Sequence, residues 1–229
     1  MDSEEILIRE RYARRLSTDS RYSWFSPGHL FLMQERERRV LTWLGRNRCL
    51  PIESKKILEV GCGTGYWLRE FLKWGARPEN LVGVDLLAER LDVARKLCPS
   101  RTALVCGSGL ALSFPDSVFD LVLQSTVFTS ILDPEARKRV AGEMLRVLKP
   151  DGLILWYDFH VNNPSNPDVQ GLGKGEILQL FSGYRVLIEK ITLAPPIARL
   201  LARHSWLACS LLEKIPWLCT HYLGAIRKT

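Results

Sequence analysis

One stretch, residues 57–71, most constrains what this chain can fold into. Its sequence, ILEVGCGTGYWLREF, begins with the short apolar run expected of a parallel strand that is covered on both faces. Gly61, Gly63 and Gly65 follow, and glycines allow a tight turn and the close approach of a ligand to the main chain. Apolar side chains then recur at helical spacing. The stretch predicts a strand, a turn and a helix beside a nucleotide-like ligand; a turn whose glycines serve packing alone is the open alternative.

Two acids accompany the first two predicted strands. Glu59 interrupts the first apolar run, and a buried carboxylate is costly without polar partners, so we expect it to face a ligand or the loop amides. The next short strand, residues 81–85, ends in Asp85, about 20 residues after Gly65. An acid at that position accepts hydrogen bonds from ribose hydroxyls in nucleotide-binding folds. The two acids therefore predict a ribose-containing cofactor.

Four motifs in order, at residues 57–65, 83–85, 114–120 and 146–152, resemble those of the class I S-adenosylmethionine (SAM) dependent methyltransferases. The Gly-x-Gly-x-Gly spacing also differs from the G-x-G-x-x-G of dinucleotide-binding enzymes. The resemblance implies a Rossmann-like α/β fold, with a seven-stranded, mostly parallel sheet, helices on both faces and an antiparallel last strand. It also implies SAM as cofactor and S-adenosyl-L-homocysteine as product.

The motifs and the predicted strand ends mark the residues expected to contact SAM. They are Glu59, Gly61, Cys62, Gly63, Gly65, Asp85, Leu86, Ser108, Gly109, Leu110 and Gln124. The segment at 107–110, GSGL, stands where the resembled family commonly has a Gly-Asp pair whose carboxylate binds the adenine amino group. Because that acid is absent, we expect the Ser108 hydroxyl, or the backbone of Gly109 or Leu110, to make this contact.

The predicted fifth strand, residues 153–159, supplies the candidate catalytic residues. Strand alternation places Asp158 and His160 on one face at the carboxyl end, where the resemblance places the acceptor. His160 is the candidate general base, and Asp158 would orient its ring. His29 is the reserve candidate. The alternative, in which His160 only binds loop carbonyls, stays open.

Residues 1–50 are predicted to form an N-terminal helical extension, and residues 51–229 the methyltransferase domain. The extension is rich in aromatic side chains, and in the resembled family such extensions often fold over the active site as a lid. A polar loop after the fifth strand is a second candidate for acceptor contacts. The predicted acceptor contacts are Tyr22, Trp24, Phe25 and Asn162. A helical cap that packs on the sheet is the alternative for the extension.

Composition limits the classes of partner. The net charge is +7, but basic residues are scattered among acids; the run at 35–39, for example, is interpreted as a solvated helix face with an i,i+4 pair of Glu35 and Arg39. A nucleic-acid partner is therefore not favoured. The six cysteines show no C-x-x-C pair, so we predict neither a metal site nor a disulfide framework, and we expect a reduced, cytoplasmic setting. The apolar stretch at 191–218 carries charges and is interpreted as a buried or surface-seeking helix, without a membrane span.

These patterns together predict a SAM-dependent methyltransferase that moves a methyl group to a small-molecule acceptor, at a hydroxyl oxygen. A subgroup resemblance suggests bacterial natural-product or surface-glycan pathways. The segment QSTV at 124–127 differs from the Asn-Pro-Pro-Tyr type motif of enzymes that methylate the nitrogen of a planar base. An RNA or protein methyltransferase, a nonenzymatic SAM-binding protein and an NAD oxidoreductase are the alternatives. The sequence leaves the acceptor and the oligomeric state undetermined.

Overall fold

The computed structural model describes residues 3–14, 23–47, 49–162 and 166–228. The strands of the described residues are β1 (Ile57–Val60), β2 (Leu81–Asp85), β3 (Ala103–Cys106), β4 (Phe119–Ser125), β5 (Leu148–Phe159), β6 (Arg185–Leu193) and β7 (Cys219–Arg227). The helices are α1 (Ser3–Ala13), α2 (Pro27–Arg46), α3 (Tyr66–Lys73), α4 (Ala88–Leu97), α5 (Pro134–Val147), α6 (Lys174–Leu180), α7 (Pro195–Leu201) and α8 (Trp206–Leu212).

The strands form one sheet in the order β3-β2-β1-β4-β5-β7-β6. β1 to β5 run parallel, and β7 lies antiparallel between β5 and β6. This arrangement confirms the predicted seven-stranded sheet with an antiparallel last strand. β2 lies on one side of β1 in the sheet and β4 on the other, so the strand order reverses between β1 and β4. The switch point where such folds bind ligands therefore lies at the carboxyl ends of these two strands.

The core forms two apolar layers because successive strand residues point to opposite faces. Leu153 and Leu155 of β5 pack with the apolar sides of α2 and α3, whereas Ile154 and Trp156 pack with α5 and α6. Fully burying one such side chain contributes about 1.5–3 kcal/mol. Helices therefore cover both faces, as predicted, and hold the strand ends in place.

Within the apolar stretch at 191–218, which the sequence predicted as one helix, the structure has two short helices, α7 and α8. Ser205 explains the break, since its side chain accepts a hydrogen bond from Ala208 N at 3.1 Å and so begins a new helix. In the described parts of the chain, no helix has the length and apolarity to cross a membrane.

Glu35 is buried, which corrects its interpretation as part of a solvated face. Its carboxylate lies 3.5 Å from Arg39 Nε, so the expected i,i+4 pair forms, and it also accepts hydrogen bonds from Thr192 N and Oγ1 at 3.4 Å. Burial, helped by the nearby Glu213, raises the pKa of Glu35 to about 7. This acid therefore ties α2 to β6.

Candidate functional site

A cavity of about 270 Å³ opens at the carboxyl ends of the parallel strands. Its floor is formed by the turn after β1, the ends of β2 and β3, and the loop after β4. The opposite side is formed by α1 and by Arg36 of α2. The cavity therefore lies at the switch point where an open α/β sheet binds its ligand.

The glycine-rich turn takes a backbone shape that other residues rarely adopt. Gly61 and Gly63 have φ angles of +71° and +53°. A β-carbon on Gly61 would overlap Cγ2 of Val127, which belongs to the loop after β4. Glycine here lets two cavity walls meet at the turn, and leaves the main chain of the turn open to a ligand.

Asp85 fixes this turn from the end of β2. Its Oδ2 accepts a hydrogen bond from Gly63 N at 2.7 Å, and its Oδ1 accepts one from Leu87 N at 2.9 Å. Two carboxylate oxygens offer about four acceptor sites, so this buried acid keeps acceptor capacity toward the cavity. Asp85 thus shapes the turn and fits the predicted ribose acceptor.

Glu59 is a buried acid that lines the same cavity. Its Oε2 has no hydrogen-bond partner among the described residues. Burial, and to a smaller extent the negative charge of the nearby Asp85, raises the pKa of Glu59 well above its ordinary value. A cationic or hydrogen-bond-donating ligand would complete this unsatisfied group.

Nine of the eleven predicted cofactor residues line the cavity. Ser108 is among them, and its Oγ accepts a hydrogen bond from Leu110 N at 3.1 Å. The two others lie outside the lining. Gly65 caps α3 with a left-handed backbone, and the Gln124 side chain accepts from Val127 N at 3.1 Å and donates to Tyr157 O at 3.4 Å. Gln124 therefore links the loop after β4 to β5.

Asp158 supports the same loop. Its carboxylate accepts hydrogen bonds from Thr129 Oγ1 at 2.5 Å and from the backbone N–H groups of Phe128 and Thr129 at 3.1 and 3.3 Å. Burial raises the pKa of Asp158 to about 7, although these hydrogen bonds oppose the shift. Asp158 is accordingly a positioning residue for the cavity wall.

The structure does not bring Asp158 and His160 together as the sequence analysis expected. The Nε2 of His160 lies 3.1 Å from Cys219 O, and its ring packs 4.4 Å from that of Tyr222. Burial, followed by the nearby Lys190, lowers the pKa of His160. The Asp158 carboxylate bonds the loop after β4, and His160 lies outside the cavity lining. The expectation that Asp158 orients the His160 ring is therefore corrected.

The predicted acceptor contacts that the structure describes lie outside the cavity lining. The Trp24 ring stacks on that of the lining residue Tyr66, with centroids 6.1 Å apart, and meets the His29 ring edge-on at 5.4 Å. Neither Trp24 nor His29 lines the cavity. Phe25 is exposed, and Asn162 Oδ1 accepts a hydrogen bond from Gly171 N at 2.8 Å. Tyr22 lies outside the described residues.

α1 contributes to the lining of the cavity, whereas the sequence pointed only to the N-terminal extension as a whole. The side chains of α1 that line the cavity are Glu4, Glu5, Ile8 and Tyr12. Glu4 Oε1 accepts from Leu132 N and from Arg11, both at 2.8 Å, and Arg11 also donates to Ser130 O at 3.2 Å. Helical spacing places the lining residues on one face, but the partners more than 100 residues away leave no signal in the sequence.

Arg36 of α2 also lines the cavity, and the sequence did not point to it. Its guanidinium lies 5.4, 5.0 and 4.9 Å from the ring centroids of Tyr66, Trp67 and Tyr157. Nη2 donates to the Met33 sulfur at 2.9 Å, and Nε has no hydrogen-bond partner among the described residues. Aromatic rings hold this cation in place at the cavity, where its positive charge can attract an anionic or carbonyl oxygen.

Residues 57–152 match the methyltransferase domain family. An uncharacterized methyltransferase of Mycobacterium leprae is 34% identical over 114 residues, which are 49% of this chain and 40% of that protein. The demethylmenaquinone methyltransferase of Thermus thermophilus is 34% identical over 124 residues, 52% of this chain and 54% of that protein. The chain thus spans about half of these relatives or less.

Among solved structures, the magnesium protoporphyrin IX methyltransferase of Synechocystis PCC 6803, determined with bound SAM, superposes with a TM-score of 0.64. The match covers 99% of this chain and 98% of that protein at 12% sequence identity, so it shows the fold alone. Together with the domain match, it confirms the predicted Rossmann-like fold and the predicted resemblance to class I SAM-dependent methyltransferases.

Proposed function

We propose that this chain, whose residues 57–152 are a methyltransferase domain of the SAM-dependent class, transfers a methyl group from SAM to a hydroxyl oxygen of a small-molecule acceptor. The observation that supports the proposal best is the cavity, because nine predicted cofactor residues and four residues of α1 line it. SAM itself, when bound, supplies a methyl group on a cationic sulfur. The protein must then hold this donor and the acceptor close and aligned.

The residues present fit SAM as the cofactor. Asp85 has acceptor capacity for the ribose hydroxyls, and the partnerless Oε2 of Glu59 suits the amino group of the methionine part. Ser108 and the neighbouring backbone would meet the adenine. The open main chain around Gly61 and Gly63 allows the cofactor to approach closely.

Arg36 is proposed to bind the acceptor. Its guanidinium lies against aromatic rings at the cavity and carries a positive charge, so it can hold an acceptor oxygen that carries negative charge. The cavity lining of the described residues contains no histidine. A phenol or another acidic hydroxyl is therefore the favoured acceptor, because it reacts as the anion and needs less help from a base.

The pathway is part of the same proposal: a bacterial natural product or surface glycan. Because one relative is named a demethylmenaquinone methyltransferase, demethylmenaquinone is among the acceptors that should be tried first. RNA and protein acceptors are the alternatives. An assay that includes them separates the proposals directly.

Calorimetric titration with SAM, S-adenosyl-L-homocysteine and NAD tests the cofactor assignment, and binding of the first two with no heat from NAD is expected. Transfer of labelled methyl groups to a panel of phenols, hydroxyquinones, glycosides, RNA and peptides then tests the acceptor. Labelling confined to RNA or peptide would replace the small-molecule proposal. Failure to bind SAM would end the methyltransferase proposal itself.

A further inference from the structure

The C-terminal helical unit, residues 195–218, presents an apolar surface to solvent. Its inward side chains, Ala198, Ala202 and Cys209, pack against Phe31 of α2 and Leu193 of β6. The large apolar side chains that it exposes are Leu200, Trp206, Leu207, Leu211, Ile215 and Trp217. A patch of exposed apolar side chains marks an interaction site on a folded protein, whereas single exposed apolar residues are normal.

α8 is apolar on its exposed side as well as on its buried side. Cys209 fills its buried side, while Leu207, which is 71% exposed, and Leu211 lie one turn apart on its outer side. Trp217, in the 3₁₀ turn that follows, is 90% exposed. A helix that is apolar on all sides is normally buried, so this outer face calls for a covering partner.

The same unit also carries positive charge. Arg203 and Lys214 are exposed, and Arg199 is half-buried. Among the described residues, no carboxylate pairs with Arg199 or Arg203 at ion-pair distance. The unit's one acid, Glu213, is half-buried and lies 3.9 Å from Arg38 of α2. The C-terminal helical unit therefore exposes both apolar and cationic side chains.

We propose that the C-terminal helical unit docks on the surface of an anionic lipid bilayer. Tryptophan rings favour the membrane–water interface, leucines enter the acyl boundary, and arginine and lysine are attracted to anionic headgroups. α7 and α8 have seven residues each, far from the roughly 20 needed to span, so the unit would lie in the interface. A second copy of this face is a poorer partner, because it would place cation against cation.

A series of contacts links the C-terminal helical unit to the cavity. Gly28, in the first turn of α2, packs so closely on the backbone of Arg199 that an added β-carbon would lie 2.6 Å from its Cα. Trp24 and Phe25 precede Ser26, the N-cap of α2, and Phe25 is 98% exposed. Trp24 in turn stacks on Tyr66, which lines the cavity. Docking would bring the bilayer to this side of the cavity, although the proposal does not depend on methyl transfer.

Cosedimentation of the full chain with phosphatidylcholine vesicles, with and without phosphatidylglycerol, tests the proposal. Binding to the anionic vesicles and its weakening by salt are expected. The double substitution Leu207→Gln and Leu211→Gln should lower the partition coefficient by about tenfold or more. Arg203→Gln and Lys214→Gln together should lower it by roughly fivefold per charge on anionic vesicles only.

Leu97→Gln and Leu178→Gln, at exposed positions of α4 and α6, form the matched control and should leave vesicle binding unchanged. SAM affinity, measured on every variant, reports whether the fold is intact without requiring the acceptor. The proposal is overturned if the wild-type chain ignores anionic vesicles, or if the control pair weakens binding equally. It is also overturned if light scattering shows a dimer that the Leu207 and Leu211 substitutions dissociate while vesicle binding is absent.

Discussion

The carboxylate of Asp85 accepts a hydrogen bond from the backbone N–H of Gly63 at 2.7 Å, so the acid that ends β2 also holds the turn that follows β1. Hydrogen bonds to an ionised carboxylate are about twice as strong as neutral ones. One side chain therefore shapes the floor of the cavity and presents an acceptor to it. Removal of the Asp85 carboxylate should therefore affect both the shape of the turn and the binding of a ligand.

Asp85→Ala should abolish measurable SAM binding, because it removes the proposed ribose acceptor and releases the turn. Asp85→Asn keeps one acceptor oxygen and should weaken binding by about tenfold. Calorimetric titration with SAM measures both effects. Asp92→Ala, at an exposed acid of α4, is the control and should bind as the wild type does. Unchanged affinity in Asp85→Ala would contradict the placement of the cofactor.

Gly61→Ala should destabilise the chain and weaken SAM binding. Alanine at a φ of +71° costs about 1 kcal/mol, and its β-carbon would also overlap Val127. Adding Val127→Ala should restore part of the stability, since it removes the overlap and leaves only the backbone strain. Urea denaturation measures the change.

Gly142→Ala is the matched control, because an added β-carbon there meets nothing within 4 Å. Gly142 lies inside α5, where alanine should stabilise the chain by about 0.5–1 kcal/mol. A Gly61→Ala variant as stable as Gly142→Ala would show that the turn tolerates a side chain, and would remove the steric argument for this glycine.

The sequence predicted the sheet and the cavity floor because local signals carry them. The apolar run before Gly61 and the acid at Asp85 each lie within one strand–turn unit, where spacing alone indicates the structure. No such local signal indicates the roles that Gln124, Asp158 and Arg36 have in the structure. Each acts through partners on other elements, such as Val127 N for Gln124 and the Tyr157 ring for Arg36, and these contacts exist only after the chain has folded.

Asp158 should make the stability of the chain depend on pH. Its pKa is raised from 3.8 to about 7 by burial, so the folded state binds more protons than the unfolded state between those values. Its contribution to the free energy of unfolding therefore falls as pH rises from about 4 to about 7, and levels off above. In Asp158→Asn an amide that does not titrate replaces the acid, so its stability relative to wild type should improve across that window.

Urea denaturation at several pH values checks this difference. Burial lowers the pKa of His221 to about 3, and this opposes the trend in the wild-type curve, so variant and wild type must be compared at each pH. Glu35→Gln should behave like Asp158→Asn, because the pKa of Glu35 is also raised to about 7. The exposed Asp151→Asn is the control. A constant difference between Asp158→Asn and wild type would contradict the prediction.

Arg36→Gln should lower kcat/KM for the acceptor by about tenfold or more, because it removes the charge proposed to hold the acceptor oxygen. Arg36→Lys should also lose activity, since an ammonium lacks the planar group that lies against the Tyr66 and Trp67 rings. Methyl transfer to the acceptor found in the panel measures both. Arg38→Gln, at an exposed position of the same helix, is the control.

SAM affinity and a histidine variant decide what Arg36 contacts. An unchanged SAM Kd with a raised acceptor KM is expected; a raised Kd with an unchanged KM would assign Arg36 to the cofactor. His160→Ala should keep turnover within about threefold of wild type, because its ring bonds the Cys219 carbonyl outside the cavity lining and a general base would contribute about 10²- to 10⁴-fold. A loss of that size in His160→Ala, with normal turnover in Arg36→Gln, would return the catalytic role to the histidine and require the end of β5 to rearrange when the acceptor binds.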